Sequence, residues 1–109
     1  MKINHITLLV SNREKSLDFY IGILGLKRKD VGKHIWVEVG ESYIHLTENS
    51  GGPIPGTFYH FAISTRLEEL RDKLVKNKSE FEDKESQIFL RDPDGNLVEF
   101  IDENDNFFK

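Results

Sequence analysis

His5-Ile6-Thr7-Leu8-Leu9-Val10-Ser11-Asn12-Arg13-Glu14 and His60-Phe61-Ala62-Ile63-Ser64-Thr65-Arg66-Leu67-Glu68 are two versions of one pattern, 55 positions apart. Each begins with a histidine, continues as a short apolar strand, and runs into a Ser/Thr-x-x-Glu sequence of the kind that caps a helix. The spacing predicts a helix after each. In the first, Leu17, Tyr20, Ile21 and Leu24 form one buried stripe and Gly25 ends the helix; in the second, Leu67, Leu70 and Leu74 form the stripe. A repeated unit of this kind decides the fold before any single residue does.

Working outward, each helix is followed by segments of β character. In the first half these are Leu26 to Val31, Ile35 to Val39 and Tyr43 to Thr47, separated by Gly32-Lys33 and Gly40-Glu41. In the second half they are a weaker Glu80 to Asp83, then Gln87 to Arg91, the turn Asp92-Pro93-Asp94-Gly95, and Asn96 to Asp102. Each half therefore reads β-α-β-β-β. The expected organisation is a single domain over 1–109: module one 1–49, linker 50–56, module two 57–103 and a polar tail 104–109. The linker is rich in glycine and proline, but no Gly-Lys-Ser/Thr or helix follows it to make a phosphate loop.

Composition narrows the function classes. The chain has 109 residues, 38% of them hydrophobic, enough for one folded core. Its net charge of −4, from 15 Lys and Arg against 19 Asp and Glu, speaks against nucleic acid as a partner. The absence of cysteine excludes disulfide scaffolds, thiolate zinc sites, iron–sulfur clusters and cysteine nucleophiles. No apolar run is long enough for a membrane span or signal peptide, so the expected location is the cytoplasm and no membrane partner is expected.

Side chains alternate across a strand, which sorts the polar residues. Ile6, Leu8 and Val10 share one face of the first strand, leaving His5, Thr7 and Leu9 on the other. Ile44 and Leu46 face away from His45, Thr47 and Asn49. In the last strand Glu99 lies between Leu97 and Ile101, where a lone carboxylate would be costly. His5 and His60 thus open the two halves, and His45 and Glu99 stand in their closing strands at offsets of 55 and 54. A pseudo-twofold relation between the halves would gather these four groups, whose nitrogen and oxygen donors suit divalent Zn, Ni, Co, Mn or Fe. Four such ligands leave room on an octahedral ion for two substrate oxygens. As alternatives, His5 and His60 are ordinary strand histidines, His45 only lines the cavity, and Glu99 pairs with an arginine such as Arg91. His34, beside Trp36, reads as a surface or cavity-wall residue, and the basic run Arg71 to Lys78 as a solvated helix face.

With these residues in place, the sequence resembles the vicinal oxygen chelate superfamily, which includes glyoxalase I, bleomycin-resistance proteins, extradiol dioxygenases and fosfomycin-resistance transferases. The resemblance rests on His5-Ile6-Thr7, Ser16-Leu17-Asp18-Phe19-Tyr20, Leu24-Gly25-Leu26, His60, and Asp92-Pro93-Asp94-Gly95-Asn96-Leu97-Val98-Glu99-Phe100. It implies an α+β fold of two βαβββ modules forming an incomplete β-barrel cleft, paired in a homodimer whose clefts take ligands from both subunits. It also implies a divalent metal on His5, His60 and Glu99, with His45 as a fourth ligand. The implied activity is glyoxalase-like lyase or isomerase chemistry on a small oxygen-chelating substrate through a metal-stabilised enediolate or oxyanion, with Glu99 as the catalytic base. Departures separate the chain from individual subfamilies. Small glyoxalases look to carry a glutamate where His45 stands and an arginine where Leu9 stands, and fosfomycin transferases a tyrosine where Phe89 stands. The alternatives are a metal-independent, bleomycin-resistance-like binding protein and, third, a thiol transferase.

Overall fold

The computed structural model describes residues 3–49 and 59–105. The linker 50–56, the first residues of module two and the end of the tail lie outside them. Module one runs β1 (His5–Val10), α1 (Arg13–Leu17), a π-helical segment (Asp18–Ile23), β2 (Lys27–Val31), β3 (His34–Val39) and β4 (Ser42–Glu48). Module two runs β5 (His60–Thr65), α2 (Leu67–Lys76), β6 (Glu82–Asp83), β7 (Gln87–Arg91) and β8 (Leu97–Asp102). The expected repeat is therefore present, with β6 reduced to two residues.

Each module forms one four-stranded mixed sheet, ordered β1-β4-β3-β2 and β5-β8-β7-β6. The opening and closing strands run parallel; the remaining neighbours are antiparallel. The sheets are open rather than closed into a barrel. Alternation in β1 and β4 sends Val10, Ile44 and Leu46 into the core, and leaves His5 and Thr7 exposed and His45 half-buried on the opposite face. The core joins both sheets and both helices in one cluster that includes Tyr20, Val37, Leu74, Ile88 and Val98. No helix among the described residues is long and apolar enough to cross a membrane.

Both expected capping boxes are corrected. The first helix is capped by Asn12, whose Oδ1 accepts from Lys15 N at 3.1 Å, because the Ser11 N–H is engaged by Asp94 Oδ1 at 2.9 Å. The second starts at Arg66 with no side-chain cap, since Thr65 is held in β5 opposite Asp102. The stripe Leu17, Tyr20, Leu24 is buried as expected, with Ile21 half-buried, but Phe19 is buried beside Tyr20 as well. The cause is the π-helical segment, in which Leu24 N bonds Phe19 O five residues back and the wider turn carries an extra residue to the core. Gly25 ends this helix with φ +77, as the sequence predicts.

The modules are joined by a buried polar knot. Asp92, 5% exposed, opens the Asp-Pro-Asp-Gly turn. Its Oδ1 accepts from Asp94 N and Asn96 N, and its Oδ2 from Asn96 Nδ2 and, across the modules, from the Tyr20 hydroxyl at 2.9 Å. Burial first, and then the Asp92 carboxylate, pushes the Tyr20 phenol well above its ordinary range.

Candidate functional site

Strand register places the four singled-out residues equivalently. Thr7 pairs with His45 and Ala62 with Glu99, so His5 and His60 each stand two residues before the partner of the closing-strand residue. On the other side of that residue, Trp36 pairs with His45 and Phe89 with Glu99. Each sheet thus presents a first-strand histidine, a closing-strand ligand candidate and an aromatic residue on one face.

In module two the pair is in contact. His60 Nε2 lies 3.0 Å from Glu99 Oε1, and Gln87 Nε2 donates to Glu99 Oε2 at 2.6 Å. The side chain of Glu99 is 9% exposed and that of His60 27%, so the carboxylate sits in a nearly dry wall with two polar neighbours. The alternative pairing with Arg91 is not formed: its guanidinium donates to Gly95 O at 2.8 Å. Phe89 stands with its ring 6.2 Å from that of His60 and forms part of the wall of a cleft of about 650 Å³ along β6 to β8.

In module one the rings of His5 and His45 are 6.4 Å apart. His45 stacks on Trp36 at 4.3 Å, and His5 meets the same indole edge-on at 4.9 Å. His5 Nδ1 is 2.8 Å from Asn4 Oδ1, a contact in which the amide oxygen accepts from the ring. Burial lowers the His45 pKa, and the nearby positive groups His34, His5 and Arg13 lower it further. Both effects favour the neutral ring, the form in which imidazole binds a metal. A cavity of about 230 Å³ opens beside it, lined by Asn4, Lys29, Val31, Trp36 and Tyr43.

The structure therefore brings His5 to His45 and His60 to Glu99, and among the described residues it gathers no three metal-ligating side chains in one place. Two donors held at about 2.1 Å on perpendicular axes of an octahedral ion stand about 3.0 Å apart. His60 Nε2 and Glu99 Oε1 stand at hydrogen-bond distance, a separation also compatible with neighbouring ligands of one ion, and their donor chemistry fits a divalent ion. Sequence reasoning missed two neighbours. Gln87 contacts Glu99, and His34, read as a wall residue, has its ring 5.2 Å from that of His45. Both lie diagonally across a strand pair from the closing-strand residue, a relation that no linear motif encodes.

Known proteins share this architecture. A protein of Bacillus anthracis assigned to the glyoxalase family matches with a TM-score of 0.80 at 20% identity, over 94% of each chain. Glyoxalase I of Leishmania major, described as trypanothione-dependent, matches with a TM-score of 0.74 at 21% identity, over 94% of this chain and 87% of its own. The fosfomycin resistance protein FosX of Listeria monocytogenes matches with a TM-score of 0.77 at 19% identity, over 94% of this chain and 90% of its own. At these identities the likeness is one of fold. A family profile, however, matches residues 2–100, nearly the whole chain, and on that ground the chain belongs to the glyoxalase/bleomycin resistance protein/dioxygenase superfamily.

Proposed function

We propose that the chain is a divalent-metal-dependent, glyoxalase-like enzyme with lyase or isomerase chemistry on a small oxygen-chelating substrate. Its site consists of His5 and His45 from module one of one chain with His60 and Glu99 from module two of a second, so that a homodimer holds two sites. The observation that carries this reading is the equivalence in register of the two pairs, one of them at ligand spacing. Four groups with metal-compatible donor atoms stand at equivalent positions of the two modules, and that supports a shared ion. The separation of the pairs within the chain supports the shared arrangement. The compartment we assign is the cytoplasm, with which a cysteine-free sequence is compatible.

An ion of Zn, Ni, Co, Mn or Fe bound there supplies a Lewis acid for two neighbouring substrate oxygens. The chain does the rest. Glu99 is the only carboxylate of the set and therefore the base for a proton α to a carbonyl, and it stands nearly buried in the wall of the site. His5, His45 and His60 bind as neutral rings. Trp36 covers one face of the His45 ring, and Phe89 stands edge-on beside His60.

Elemental analysis of tag-free protein after reconstitution with Ni, Co, Zn and Mn tests the reading. About one metal per chain is expected, lost in the His60→Ala, Glu99→Ala double variant. Glu99→Gln retaining metal and full turnover overturns the base role. A second reading, a metal-independent binding protein, is favoured by the aromatic wall of Trp36 and Tyr43 in a cavity that Asn4, Lys29 and Val31 complete. It becomes the leading one if none of the four metals is retained.

A further inference from the structure

Glu99 is held at both oxygens, and only one of its neighbours belongs to the proposed ligand set. Gln87 pairs with Ile101 on β8, which puts it diagonally across from Glu99 on the same sheet face. Its amide spans that diagonal and donates to Oε2 at 2.6 Å, while Oε1 faces His60. The terminal torsion of a glutamate is broad, so a carboxylate anchored only at Cγ samples many orientations of its oxygens. A hydrogen bond to one oxygen removes most of that freedom.

Module one supplies independent support. His34 occupies the matching diagonal position, two residues before the aromatic partner of His45 as Gln87 is two before that of Glu99, and its ring is 5.2 Å from that of His45. The fold thus builds a neighbour for the closing-strand ligand in both halves, by the same route.

Resting on the metal-site reading above, we propose that Gln87 is a positioning residue. It presents Glu99 Oε1 to the ion beside His60 Nε2 and keeps Oε2 from turning toward it. Outer partners of metal ligands are worth roughly 10–100-fold in metal affinity.

The test is calorimetric titration of tag-free protein with Ni and Zn, in parallel with thermal melting of the metal-free forms. Gln87→Met, which keeps the length of the side chain and removes the donor, is expected to bind about 10–100-fold more weakly with unchanged metal-free melting. In a Glu99→Ala background the same change is expected to add nothing, because the group it positions is gone. Should Gln87→Met fail to fold, Gln87→Leu, which also lacks the donor and adds no charge, carries the same expectation. Affinity equal to the parent overturns the inference, as does an equal loss in the Glu99→Ala background, which would mark a packing role. If the parent binds both metals and the Gln87 variants match it, this inference alone fails; if the parent binds neither, the metal-site reading fails with it.

Discussion

In module two, His60 and Glu99 meet at 3.0 Å and Gln87 secures the far oxygen of Glu99; in module one, the rings of His5 and His45 stay 6.4 Å apart, each leaning on Trp36. The strand positions are equivalent and the chemistry is not. Module two combines an acceptor-only carboxylate with donors, so its pair closes on itself. Module one has only imidazoles beside Arg13, groups that repel one another when charged, and packing on Trp36 rather than a bond between them brings the two rings together. Two buried donors in this half, Arg13 Nε and Trp36 Nε1, lack a hydrogen-bond partner among the described residues. A duplicated scaffold can thus bond the two members of one half-site to each other and leave those of the other half joined only through a shared aromatic neighbour.

The largest effect is expected from separating the halves. Mixing a His5→Ala, His45→Ala chain with a His60→Ala, Glu99→Ala chain, after unfolding and refolding together, tests whether one site draws on two chains. If it does, each mixed dimer contains one intact site, and about a quarter of the parental metal content returns from two inactive stocks. If each site lies within a chain, none returns. Metal analysis of the mixture reads the difference directly.

Next in size is the link between the modules. Tyr20→Phe removes the one hydrogen bond that the first helix sends to Asp92, and hydrogen bonds to charged groups are worth about 1.5–3 kcal/mol. Denaturant unfolding at neutral pH measures this loss. Arg71→Met breaks an ion pair with Asp83 that lies wholly within module two and half exposed, and is expected to cost less. The Tyr20 phenol also carries a pH signature. Its pKa is raised in the folded protein, so the stability it contributes is complete below the ordinary tyrosine value of 10.0 and is lost as pH rises above it, where the unfolded chain ionises first. The alkaline decline should therefore be shallower in Tyr20→Phe than in the parent.

A smaller effect separates the two half-sites themselves. His34→Gln gives module one the residue that module two has at that position. Because His34 is one cause of the lowered His45 pKa, removing it should raise that pKa, but only in part, since burial is the larger cause. A proton NMR titration of the histidine ring signals checks the direction.

What was legible in the sequence was whatever depends on period and on local turns. The repeat, the strand order it implies, the helix stop at Gly25 and the faces carrying His5, His45, His60 and Glu99 all follow from alternation and spacing. Three features were not legible. The cap at Asn12 depends on Asp94, more than eighty residues away, taking the Ser11 N–H. The π-helical segment changes the phase of the first helix after Leu17, and a stripe counted at the α-helical period therefore omits Phe19. Gln87 and His34 gain their place from a diagonal between strands, where sequence distance says nothing about contact.

The smallest expected effect lies where the two helices end. Gly25 and Lys78 both adopt the left-handed conformation that closes a helix, with φ +77 and +55. In module two the bonds Lys78 N to Val75 O and Ser79 N to Leu74 O complete the closing motif, so the backbone is well held although the residue is unsuited to it. A side chain in that region costs roughly 1–2 kcal/mol, part of which glycine returns through the extra freedom of the unfolded chain. Lys78→Gly should therefore stabilise the protein by about 0.5–1 kcal/mol, while Gly25→Ala should destabilise it by about 1 kcal/mol or somewhat more, since the added Cβ would also stand 3.3 Å from Lys73 Nζ. Opposite signs at equivalent positions, read as shifts in denaturant midpoint, would show that the modules share a backbone plan that only one of them has fitted with its best residue; equal signs would mean that the two helix ends are held by different forces.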